Sequence, residues 1–164
     1  LLKGMAPEYG IKLPFRPVHI FEYLRNYLRE NKAKVKKLGM RVAYQRPCAS
    51  RLTPQKDPLL DEIFDLVGVE RAKRQYDGIN AICCGLEVAG PGLKLCPRGK
   101  NFEPFREKNI KDAKESGAEA MVYLCAMCFE ALHKKVQEAG MKNYMISDIC
   151  RLALGEKMPE EKPV

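Results

Sequence analysis

The chain has 164 residues, 46% of them hydrophobic and 30% charged, with no tryptophan, which suits one soluble domain with a proper core. No apolar run approaches bilayer length, so membrane contact would come only through a partner. The formal charge of +8 sits in residues 1–50, with 11 Lys/Arg against 3 Asp/Glu, while residues 51–164 balance at 18 against 18. No zinc-finger spacing, RNA-binding signature or aromatic ladder accompanies this excess, and its distribution argues against a nucleic-acid partner. The cations of Arg25–Arg46 read either as a solvated helix end or as a docking patch for an acidic partner.

Residues 1–16 carry Gly4, Pro7, Gly10 and Pro14 and read as a connecting arm to a domain over 17–155. Leu1-Leu2-Lys3-Gly4 is neither a secretory signal nor an initiator methionine, the pattern of a piece of a longer polypeptide. Pro17 opens a first helix with Val18, Phe21, Leu24 and Leu28 on one stripe. Arg41–Gln45 is a strand ending at Pro47-Cys48. Pro58 starts a second helix with Leu59, Leu60, Ile63, Phe64 and Val67 on its apolar face, closed by Gly68. Ile79–Ile82 is a weaker strand leading into Cys83-Cys84-Gly85, followed by a loop to Gly99. Pro104 opens a third helix that stops at Gly117. Ala120–Leu124 is a buried strand delivering Cys125, and a fourth helix carries Phe129, Leu132, Val136 and Ala139 before Gly140. Asn143–Ile146 is the last strand, Ser147 caps a short final helix, and residues 156–164 read as a disordered tail. This alternation implies an α/β fold: a mainly parallel sheet with flanking helices, a Rossmann-like layered single domain. Its cysteines would lie in loops at the carboxyl edge of the strands, where parallel sheets present functional groups.

Seven cysteines, an odd number, are spaced unlike a secreted disulfide scaffold, which points to the reducing cytoplasm. Five of them form one pattern: Cys48, thirty-four residues, Cys83-Cys84-Gly85, thirty-nine residues, then Cys125-x-x-Cys128. Five thiols exceed what one tetrahedral ion uses, and thiolates select zinc, copper(I) and iron–sulfur clusters. Cys125-x-x-Cys128 alone is shared by redox pairs, zinc sites and iron–sulfur sites. Adjacent Cys83 and Cys84 face opposite ways on a strand, so both reach one site only from a turn, which Gly85 permits.

These residues carry a family resemblance. Tyr44–Cys48 (YQRPC), Ile79–Gly85 (INAICCG) and Tyr123–Cys128 (YLCAMC) resemble the cysteine-rich CCG domain of heterodisulfide reductase and of related iron–sulfur oxidoreductase components, over roughly His19–Leu154. The resemblance implies that Cys48, Cys83, Cys84, Cys125 and Cys128 hold a non-cubane [4Fe-4S] cluster for electron transfer or reductive cleavage of a disulfide. It also implies partner subunits, including an electron-donor iron–sulfur or flavin protein, and a cytoplasmic place, or one at the inner membrane face through those partners. This chain departs from the family pattern at Gln45-Arg46-Pro47, where relatives carry His or Asp, and at Cys125-Ala126-Met127-Cys128, where a proline follows the first cysteine in many of them.

Competing readings are a structural zinc domain using four of the five cysteines, and thiol–disulfide exchange at Cys125 and Cys128. Arg46 and Arg51 flank Cys48 as counter-charges or as ordinary surface cations. Backbone N–H groups near Gly85, Gly90 and Gly92 are candidate donors to sulfur. Cys96 reads as an inert thiol, Cys150 as core, His133 as a packed histidine, and His19 as the start of the first helix.

Overall fold

In the computed structural model, which describes residues 6–86 and 102–158, helices begin where the chain can satisfy their first N–H groups. Helix α1 spans Ile20–Glu30, and His19 is its cap: His19 Nδ1 accepts from the Phe21 N–H at 3.2 Å, while Glu22 accepts from the His19 N–H at 3.4 Å. The helix thus starts three residues after Pro17, and Val18 lies exposed rather than on the apolar stripe with Phe21, Leu24 and Leu28. Strand β1 is Arg41–Gln45. Helix α2, Asp57–Val67, has Pro58 in its first turn and Gly68 just past its end at φ 68°, a left-handed stop that suits glycine.

The second strand differs from the expected Ile79–Ile82. Strand β2 is the two-residue Glu70–Arg71, and Gly78–Asn80 forms a single 3₁₀ turn with Ile79 exposed. Helix α3 is Glu103–Glu115, strand β3 Ala120–Tyr123, helix α4 Ala126–Glu138, and strand β4 Lys142–Met145. Helix α5, Ile146–Ala153, is capped from Met145, whose N–H donates to Asp148 at 2.8 Å; Ser147 lies inside its first turn.

The four strands make one all-parallel sheet in the order β2-β1-β3-β4. Side chains alternate between its faces, and each face is covered by helices. Val42, Tyr44, Ala120 and Val122 pack against α1, α2 and α5. Ala43, Met121 and Tyr123 pack against α3 and α4. Fully buried Leu28, Ile63 and Phe64 each stabilise the first layer by about 1.5–3 kcal/mol relative to exposure. Gln45 pairs with Tyr123 and Tyr123 with Met145, so β1, β3 and β4 end level and open their loops on the same edge. Among the described residues, no helix is long and apolar enough to cross a membrane.

Candidate metal centre

The level edge of the sheet places the cysteine segments. Cys48 begins a 3₁₀ turn, Cys48–Leu52, three residues beyond β1. Cys125 follows β3 by two residues and is the N-cap of α4, whose first turn contains Cys128. The carbonyl of Cys125 accepts from the N–H groups of Cys128 and Phe129, each at 3.1 Å. The positive end of α4 therefore lies at these two sulfurs, where thiolates are favoured.

Cys83 and Cys84 arrive differently from expectation, since a 3₁₀ turn and not a strand leads into them. Side chains from other elements hold their loop by its carbonyls. Arg51 donates to Ala81 O at 2.9 Å, Gln45 Nε2 to Ile82 O at 3.0 Å, and Arg106 to Cys84 O at 2.9 Å and Gly85 O at 3.1 Å. Gln45 is itself fixed by Asn109 Nδ2 at 2.6 Å, and Asn109 Oδ1 accepts from Arg74 at 3.2 Å. Gly85 turns the loop at φ 72°, and a Cβ there would fall 2.4 Å from Phe102 Cβ, so the turn needs glycine for both conformation and space.

The result is a run of sulfur contacts. Cys48 Sγ lies 3.6 Å from Cys83 Sγ, and the Cys84 thiol is hydrogen-bonded to both Cys83 and Cys128. All five motif cysteines are free thiols; Cys84 and Cys128 are buried, while Cys48, Cys83 and Cys125 are half-buried. The hydrogen bond to Cys128, with burial, pushes the Cys84 thiol up to about 12, against the downward pull of Cys83 and the Leu86 N–H. Without metal that thiol keeps its proton; a bound metal displaces it.

A separation of 3.6 Å is far from a disulfide. It matches the roughly 3.8 Å between two sulfurs that share a tetrahedral metal at bonds of about 2.3 Å. Among the described residues, no three His, Cys, Asp or Glu side chains surround one point closely enough to hold a single ion. Pairwise contacts link Cys48 to Cys83, Cys83 to Cys84 and Cys84 to Cys128, with Cys125 at the adjoining helix start.

Neither flanking arginine is without a partner, although Arg51 lies at the surface. Arg46 is buried, pairs with Asp57 at 2.8 Å and donates to the carbonyls of Gly78 and Ser50, bracing the Cys48 turn. Arg51 straps that turn to Ala81. His133 stacks on Phe129 at 5.0 Å, as a packed histidine does. Cys150 lies on the opposite sheet face, in the core with Ile149 and Val42. Cys96, Gly90 and Gly92 lie outside the described residues. A groove of about 450 Å³ opens beside Cys83, walled by Tyr76, Ile82, Phe102 and Phe105, with Lys108 at one side. The Lys108 ammonium sits 4.8 Å from the centre of the Tyr76 ring.

Arg106, Asn109 and Arg74 carry no motif, so sequence reasoning passed over them. Gln45 offered a signal: a polar residue closing an otherwise apolar strand asks for buried partners.

Fold and site together define an α/β domain that gathers cysteine sulfurs at the carboxyl edge of a parallel sheet. The model of the CCG cysteine-rich domain matches residues 42–133, more than half of the chain, and the chain belongs to that family. It is 26% identical over 157 residues to one of the subunits of the fumarate reductase (CoM/CoB) of Methanothermobacter marburgensis, covering 92% of this chain and 29% of that protein. It is 29% identical over 121 residues to one of the subunits of the dihydromethanophenazine:CoB–CoM heterodisulfide reductase of Methanosarcina acetivorans, covering 73% of this chain and 29% of that one. The chain thus spans under a third of the length of either relative.

Proposed function

We propose that the chain is an iron–sulfur redox module in which Cys48, Cys83, Cys84, Cys125 and Cys128 hold a non-cubane [4Fe-4S] cluster. The observation that carries this reading is the set of pairwise sulfur contacts joining Cys48, Cys83, Cys84 and Cys128 across three loops. Five thiols are more than one tetrahedral ion uses, and they suit an inorganic core of several irons. Membership in the CCG family and the two relatives from reductase complexes support the redox assignment. When bound, such a cluster supplies one-electron transfer and, at an open iron, a seat for sulfur.

The chain's own residues do the rest. The loops orient the ligands, the first turn of α4 and the Gly85 and Leu86 N–H groups offset their negative charge, and burial of Cys84 and Cys128 shields one side from water. The groove beside Cys83 gives a small molecule a way to the exposed side of the site, which supports disulfide reduction there over simple relay. The sequence has no nucleotide or flavin signature, so electrons come from a partner protein carrying an iron–sulfur centre or a flavin.

Anaerobic purification followed by iron and sulfide analysis and EPR tests the reading. A paramagnetic species accompanied by both iron and acid-labile sulfide is the expected result. A colourless chain that takes up no iron on anaerobic reconstitution, or one holding stoichiometric zinc without sulfide, would overturn it.

A further inference from the structure

Arg106 holds two successive peptide units by their oxygens. Its Nε donates to Cys84 O at 2.9 Å and its Nη2 to Gly85 O at 3.1 Å. In a trans peptide the C=O and the N–H of the unit point in opposite directions, so a pinned oxygen aims the hydrogen away from the pin. The N–H of the Cys84–Gly85 unit, on Gly85, points at Cys83 Sγ at 3.4 Å. The N–H of the Gly85–Leu86 unit, on Leu86, donates to the Cys84 thiol. Each unit therefore runs from the guanidinium, through the peptide, to a motif sulfur. The left-handed φ of Gly85 suits the convergence of successive N–H groups seen in anion-binding nests.

Arg106 is well placed to hold this arrangement. It stands one turn into α3 and pairs with Glu103 at 3.7 Å. Glu103 also pairs with Lys135 of α4, the helix whose start carries Cys125 and Cys128. Hydrogen bonds in series polarise one another, so a cation at the oxygen end strengthens the N–H at the sulfur end. Donors to ligand sulfur stabilise the more negative, reduced form of a cluster and raise its potential.

We propose that Arg106 is a positioning residue that acts through these two peptides on Cys83 and Cys84 and raises the reduction potential of the cluster they hold. The inference rests on the reading of these cysteines as cluster ligands, and it assigns to Arg106 a role that no motif marks.

The test compares the reconstituted chain with Arg106→Gln and Arg106→Lys by iron content and by EPR-monitored redox titration. Lysine keeps the positive charge but has a single ammonium in place of the two-pronged grip. The expected result is unchanged iron content with both variants shifted about tenfold towards the oxidised form, a fall of ~59 mV for a one-electron couple. Three equal potentials, or Arg106→Lys matching the parent, overturn the proposal; the latter would mean that charge alone matters. Hydrogen exchange on the metal-free chain gives a second reading should the variants load poorly. Gly85 and Leu86 amides are expected to exchange at least tenfold faster in Arg106→Gln, with Val42–Tyr44 unchanged, and unaltered protection there overturns it. A parent chain that holds no iron defeats the proposed function separately, and the exchange result then judges Arg106 by itself.

Discussion

Substituting Gly85 by alanine tests how tightly the backbone confines the cysteine loop. Gly85 has φ 72°, and the new Cβ would meet Phe102 Cβ at 2.4 Å and Cγ at 2.5 Å. A left-handed conformation costs a non-glycine residue about 1–2 kcal/mol. Crowding by one methyl in a packed setting adds about 1–3 kcal/mol, because Phe102 must move from its root rather than its tip. The expected loss is therefore about 2–5 kcal/mol. Gly140 supplies the control, having φ 78° with nothing within 4 Å of its would-be Cβ. Gly140→Ala carries the conformational cost alone, about 1–2 kcal/mol, and both substitutions restrict the unfolded chain alike. The difference between them isolates the contact with Phe102. Urea unfolding, with both variants and the parent in the same metal state, measures it. Adding Phe102→Gly, which removes the Cβ as well as the ring, to Gly85→Ala should recover about 1–3 kcal/mol as a coupling energy. Equal losses for Gly85→Ala and Gly140→Ala, with no coupling to Phe102, would refute the packing argument.

Three further outcomes follow from the same geometry. Asn109→Leu strands the Gln45 Oε1 that it serves at 2.6 Å, and is expected to cost about 1–3 kcal/mol in urea unfolding while loosening the loop at Ile82. Arg46→Ala breaks the pair with Asp57; a fully buried pair would cost about 3–5 kcal/mol, but Asp57 is partly exposed, so a loss of about 1–3 kcal/mol is expected by the same assay. Burial pushes the Cys150 thiol up from 9.0 to about 12. The folded state therefore holds a proton that the unfolded state releases first, so this stability is intact below pH 9 and lost as pH rises towards 12. Thermal unfolding of the metal-free chain should show that alkaline decline, and Cys150→Ala should make it shallower between about pH 9 and 10, before tyrosines and lysines join.

Much of the fold was legible because hydrophobic period and terminal residues agreed with it. Pro58 in the first turn and Gly68 after the last mark the ends of α2, Pro104 in the first turn and Gly117 beyond the end mark α3, and the apolar run before Cys125 is β3. The edge strand β2 was not, since Glu70–Arg71 is two charged residues whose pairing with β1 is a backbone matter. Ile79–Ile82 looked like a strand from composition, yet its carbonyls go to Arg51 and Gln45 instead of a neighbouring strand. Those donors come from distant segments, and spacing within one segment cannot show them. The five motif cysteines stand out in the sequence as a set because their pattern resembles a known family's; that all five are ligands is the proposal made above. What orients them was hidden, because Arg106 looks like any helical arginine until its two carbonyl partners are seen. Arg46 read equally as a counter-charge or a surface cation beside Cys48, and only the fold reveals Asp57 against it.

The central claim is that five sulfurs, and no others among the described residues, hold the cluster. Iron retained after anaerobic reconstitution of single Cys→Ser variants tests it most directly. Serine at 48, 83, 84, 125 or 128 should each reduce or abolish bound iron and alter its EPR signal, whereas Cys150→Ala on the far sheet face should keep about four irons per chain. Full iron content in Cys48→Ser and Cys84→Ser, or iron lost only with Cys150, would contradict the account.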